Sequence, residues 1–178
     1  MPIRGPAALV LTLAVAGPVL AEVKSVAPNG FEVASVAMIA APADRVYAAL
    51  GEVGHWWSPS HTFSGDAANL SLELRPGGCF CERLKDGGAV QHLLVVYAAP
   101  DEGLRLRGAL GPLQMEGVDG TLSWTLKSAE GGTSLTQSYI VGGYIRGGME
   151  AWAPRVDRVL DEQLQRLKSF VEGNSPPR

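Results

Sequence analysis

The sequence predicts an α+β fold, a curved antiparallel sheet of about six strands wrapped around one long C-terminal helix, with two short helices after strand one. Three observations carry this expectation. Short alternating apolar runs recur from Leu70 to Val141 between Gly- and Pro-rich turns. One hairpin, residues 121–127 with 134–141, gathers apolar and aromatic residues on one face and Ser and Thr on the other. The chain then runs through residues 149–171, where apolar residues return at helical spacing.

Taken in order, Phe31 to Ala40 reads as the first strand. Pro42 and Asp44 open a helix whose apolar face is Val46, Tyr47, Ala49 and Leu50. Gly51 and Gly54 interrupt it, and Val53 to Trp57 forms a second short helix that Ser58-Pro59 stops. Leu70 to Leu74 alternates cleanly and continues as Cys79 to Leu84 across a bend or bulge at Pro76-Gly77-Gly78. Asp86-Gly87 turns the chain into Val90 to Tyr97, after which Leu104 to Leu110 alternates Leu with Arg. Centring the next turn on Glu130-Gly131-Gly132 sets Leu126 opposite Leu135, Trp124 opposite Gln137 and Leu122 opposite Tyr139. Met149, Trp152, Val156, Val159, Leu160, Leu164, Leu167, Phe170 and Val171 supply the helix that covers this face. A sheet of that size is deeper than one helix can fill, so an apolar hollow is expected between them.

Composition limits the functions. The chain has 178 residues, 15 basic against 18 acidic side chains, and no Lys/Arg cluster, which argues against nucleic acid as a partner. Residues 1–21 read as a secretory signal: Arg4 near the start, an apolar run from Ala7 to Ala16, a Gly17-Pro18 break, and Val19 and Ala21 before Glu22. Removal of that segment leaves residues 22–178 as a single domain with no membrane span, exported to a periplasmic or external oxidising compartment, and residues 173–178 as a frayed tail. Leftover apolar residues on the outer sheet face leave a homodimer open.

The order of these elements, with APADRVYAAL in the first helix, WW in the second, PGG in the next strand and GTSLTQSY before the last helix, resembles the SRPBCC superfamily. This is the START-like, birch-pollen-allergen-like helix-grip fold, and the likeness is to its polyketide cyclase/dehydrase-like and Hsp-ATPase-activator-like branches. The resemblance covers about Phe31 to Glu172. It implies a ligand hollow between sheet and helix for lipids, steroids, hormones or polyketides; some members are enzymes and others bind a partner protein. It brings no shared catalytic signature, so function rests on this chain's own residues.

The leading expectation is a protein that holds a small apolar ligand in that hollow, without a cofactor and without chemistry of its own. Trp57, His61, Phe80, Glu82, His92, Trp124, Tyr139, Met149 and Trp152 are its candidate binding residues. Trp56 and Trp57 would point about 100° apart on a helix, so one enters the core and the other meets the rim. His61 lies in PSHTFSGD, a loop able to fold over the mouth, and residues 142–148 (GGYIRGG) read as a hinge or gate. Two alternatives stand beside this. Glu82 and His92, paired across two strands, would form a general acid/base for a cyclase or dehydratase. Cys79, Cys81 and His92 would share a face in another register and suit a soft metal such as zinc or copper(I), although C-x₂₋₄-C spacing is absent. A Cys79–Cys81 disulfide is disfavoured, because side chains two apart on a flat strand run parallel. No Ser-His-Asp ordering, H-E-x-x-H or phosphate-cradling loop is present.

Overall fold

Eight stretches of chain pair as strands where the spacing predicts about six. The structure, a computed structural model, describes residues 20–174. Among the described residues one antiparallel sheet runs β1-β2-β8-β7-β6-β5-β4-β3. Its strands are β1 (Leu20–Ala27), β2 (Gly30–Ile39), β3 (Leu70–Leu72), β4 (Cys79–Arg83), β5 (Ala89–Ala99), β6 (Gly103–Arg107), β7 (Gly117–Ala129) and β8 (Gly132–Tyr144). Helices α1 (Ala43–Gly51) and α2 (Val53–Trp56) follow β2, and α3 (Met149–Val171) closes the fold. No helix among the described residues is long and apolar enough to cross a membrane.

The two extra strands have separate causes. β1 hydrogen-bonds to β2 at the sheet edge but exposes Glu22, Lys24 and Ser25, so it lacks the buried alternation that marks a strand in sequence. At Pro76-Gly77-Gly78 the chain reverses instead of bulging: Leu70 pairs with Glu82 and Leu72 with Phe80. Gly78 has no room for a side chain there, since a Cβ would lie 2.2 Å from the Glu73 carbonyl oxygen. Residues 1–19, most of the expected export signal, lie outside the described residues, as do residues 175–178 of the expected tail; Leu20 and Ala21 open β1.

The long hairpin has the predicted register, with Leu126–Leu135, Trp124–Gln137 and Leu122–Tyr139 facing each other and all buried. Its outer neighbours Ser123, Thr125, Thr136 and Ser138 stay at least partly exposed, and exposed Val36, Met38 and Ile140 share that outer surface. β8 also runs further than expected. Gly142 to Tyr144 pair with Gly117 to Asp119, so only residues 145–148 link it to α3, shortening the segment read as a hinge.

α3 lies on the inner face, packed chiefly on β2 and β1, and buries Met149, Ala153, Leu160, Leu164, Leu167 and Val171. Two buried glutamines tie it down. Gln137 on β8 accepts from the Trp124 indole N–H (2.9 Å) and donates to the Leu160 carbonyl (2.8 Å). Gln163 on α3 accepts from the Ser58 amide (2.8 Å). Each fixes one side of the helix to a different element by satisfying polar groups that would otherwise be buried alone.

Candidate functional site

The helix does not fill the space it covers. A cavity of about 410 Å³ remains, walled by Phe80 on β4, His92 on β5, Tyr139 on β8 and Trp152, Val156, Val159 and Leu160 on α3. Two loops complete it, residues 57–63 on one side and residues 110–113 on the other. The apolar α3 contributions fall at i, i+4, i+7 and i+8, one stripe continuing past the part that packs on β1 and β2, and Arg155 at i+3 adds a cation beside it.

Of the residues named from sequence, Trp57, His61, Phe80, His92, Tyr139 and Trp152 line this space, while Trp124 and Met149 do not. Trp124 is buried with its indole N–H spent on Gln137, and Met149 packs into the core at the start of α3. Glu82 sits behind the wall, bonded to His92. Both adjacent tryptophans are buried, contrary to the helical argument, because α2 ends at Trp56 and Trp57 is already extended (φ −62°, ψ 146°). The Trp56 indole donates to the Ala49 carbonyl, and the Trp57 indole to the His61 carbonyl. Leu110, Pro112 and Leu113 were missed as site residues: they end one strand-like run and open the loop after it, where no alternation shows that the chain folds over the hollow.

A β-bulge aims the histidine. Phe80 pairs with Leu93 and Cys81 with Gln91, leaving His92 as the extra residue, so His92 and Leu93 are both buried. Neither regular register of this hairpin is therefore the observed one. The inward imidazole lies between Phe63 (ring centroids 5.8 Å apart, stacked) and Phe80 (5.2 Å, tilted). Its Nε2 is 2.9 Å from the Glu82 carboxylate, both side chains being almost wholly buried. Glu82 also accepts from the backbone amides of Phe63 (3.1 Å) and Ser64 (2.5 Å), mooring the loop beside the cavity.

The same bulge corrects the reading of the cysteines. Cys79 and Cys81 form a disulfide, with Cα atoms 5.3 Å apart. Two residues of flat strand would span about 6.6 Å. β4 is therefore not flat here, and its side chains converge where a flat strand would hold them parallel. Both cysteines occupy positions alternate to buried Phe80 and Glu82, while His92 faces inward, so the structure does not assemble a Cys79–Cys81–His92 metal site.

Latches hold the two loops. His61 Nε2 meets the Glu162 carboxylate at 3.0 Å, linking the first loop to α3. Glu116, just beyond the second, pairs with the Arg146 guanidinium (2.8 Å). The Tyr139 hydroxyl donates to the Gly108 carbonyl (2.8 Å) and accepts from the Leu110 amide (3.0 Å). The ring reaches there because residue 120 is glycine; a Cβ would stand 2.6 Å from the Tyr139 Cε2.

Burial lowers the His92 pKa below the ordinary 6.5, against the opposing pull of Glu82. For Glu82, burial works against ionisation, but hydrogen bonds from Ser64, Phe63 and His92 outweigh it and hold the carboxyl below 4.5. Both shifts have the same sign for stability. The unfolded chain takes up protons first, so stability falls with pH from about 6.5 through the His92 range, then again below 4.5 for Glu82. Asp157 and Asp161 on α3 act oppositely: burial raises both above 3.8, so protonation near the acid end restores some stability. Urea unfolding as a function of pH is expected to show the decline below 6.5 in the native protein and to lose that first step in His92→Phe.

Comparison with known proteins supplies the lineage. An uncharacterized protein from Rhizobium leguminosarum superposes with a TM-score of 0.60 at 17% identity, over 89% of this chain and 100% of that one. CalU16 from Micromonospora echinospora gives 0.59 at 15% identity, over 87% of each chain. DynU16, a protein of the dynemicin biosynthetic locus, gives 0.57 at 20% identity over 82% of this chain, which spans 48% of that longer one. No curated protein matches the sequence. At these identities the structures share the fold with this chain, and the decisive finding is the sequence-family model described as "Polyketide cyclase / dehydrase and lipid transport", which matches residues 30–172. With eight strands gripping a terminal helix and a match across most of its length, the chain belongs to the polyketide cyclase/dehydrase and lipid transport family of the SRPBCC superfamily.

Proposed function

We propose that this is an exported protein that holds a small apolar ligand in the cavity between the sheet, the two loops and α3. The observation that carries the reading is the cavity: about 410 Å³ of space walled mainly by apolar and aromatic side chains, within the range of small-molecule sites. Apolar contact with these walls drives binding at about 25 cal/mol per Å² removed from water. The family description, which joins polyketide chemistry to lipid transport, supports a ligand of that apolar class. Export draws support from the charged start and short apolar run of residues 1–21, and from the Cys79–Cys81 disulfide, which suits an oxidising compartment.

Two measurements test this together. Protein recovered natively from its producing cell is expected to begin at Glu22, and to bind one equivalent of anilinonaphthalene sulfonate that an apolar extract of those cells displaces. Retention of residues 1–21 overturns export. Absence of saturable dye binding overturns the ligand-holding reading.

A further inference from the structure

We infer that the Glu82–His92 pair is a hydrogen-bond-accepting subsite that recognises one phenol-type hydroxyl on an otherwise apolar, flat ligand; this rests on the ligand-holding reading above. The observation behind it is an orphan. His92 is 5% exposed and lines the cavity, yet its Nδ1 has no hydrogen-bond partner among the described residues. Buried polar atoms are normally paired, and an exception asks for a missing partner.

The chemistry of that partner follows from the pair. Glu82 is an ionised carboxylate and can only accept, so the hydrogen between it and His92 sits on Nε2. Burial keeps the imidazole neutral, which leaves Nδ1 with a lone pair and no proton. The missing group is therefore a donor. Of the other polar side chains that line the cavity, Arg155 stands on α3 and four are engaged elsewhere. Tyr139 bonds to Gly108 and Leu110, His61 to Glu162, Thr62 to the Pro59 carbonyl and Ser60 to Ser58. Trp57, Phe63, Phe80 and Trp152 line the cavity with the imidazole, aromatic surfaces suited to a planar aromatic body. An aromatic hydroxyl is also a stronger donor than an aliphatic one. No bond is made or broken: the hydroxyl keeps its proton and shares it with Nδ1.

The test compares 2-naphthol with naphthalene, followed by quenching of tryptophan emission, since Trp57 and Trp152 line the cavity. The native protein is expected to bind 2-naphthol about tenfold more tightly or better, a difference of about 1.4 kcal/mol. In His92→Phe the preference is expected to vanish while naphthalene binding is retained. Two-bond ¹H–¹⁵N spectra of the native protein give a readout independent of any variant. His92 Nδ1 is expected to be unprotonated when free and to shift with 2-naphthol but not with naphthalene. Equal affinities in the native protein, or an unmoved Nδ1 resonance at saturation, overturn the hydroxyl subsite and leave the ligand-holding reading intact. Failure of both probes and of the anilinonaphthalene dye to bind overturns the two together.

Discussion

Val156→Trp is expected to abolish saturable dye binding, or to weaken it at least about tenfold, while the protein melts no lower than the native one. Val156 stands centrally on the α3 stripe, with Trp152 one turn before it and Leu160 one turn after, all three on the cavity wall. An indole there extends into empty space instead of into packed atoms, so the usual cost of overpacking is small and added apolar contact compensates it. Calorimetric titration with the dye beside a thermal melt separates the two effects. Unchanged affinity in a folded variant would place the ligand elsewhere. A loss of affinity with a large fall in Tm would show that this part of α3 is already packed.

Glu82→Ala should be the most destabilising change near the site, about 3 kcal/mol, or a fall in Tm of about 6–12 °C for a domain this size. The carboxylate is almost wholly buried and collects three donors: His92 Nε2 and the amides of Phe63 and Ser64. Removing it strands the imidazole and frees the loop that carries Phe63 over His92. Limited proteolysis provides the second reading, with new cleavage expected between Ser60 and Asp66. A loss below about 1 kcal/mol without new cleavage would mean that solvent or neighbouring groups replace the carboxylate.

The long elements were legible because each has one buried face. Hairpin β7–β8 was readable to the residue pair, since its apolar positions alternate without interruption around a glycine turn. α3 was readable because its apolar stripe is continuous over more than five turns. β1 was hidden by its position at the edge, where neither face is buried deeply enough to leave a pattern. The site was only half legible for a related reason. Phe80, Tyr139 and Trp57 announce themselves as large apolar residues, but the aim of His92 depends on one extra residue in β5, and no alternation rule says where a bulge falls. That single feature undid the grouping of Cys79, Cys81 and His92. It also created the Glu82–His92 contact without the regular register that would pair them.

The buried amide of Gln137 has a kinetic implication. By stitching the Trp124 strand to the Leu160 carbonyl, it fastens the seam between sheet and rod. On the proposed ligand-holding reading, exchange of a guest would fall to the two loops, clasped at the rim by the Glu162–His61 contact and by the Glu116–Arg146 ion pair. The Arg146 side of the second clasp is exposed, so salt would weaken it, and the lifetime of a loaded state would shorten as ionic strength rises.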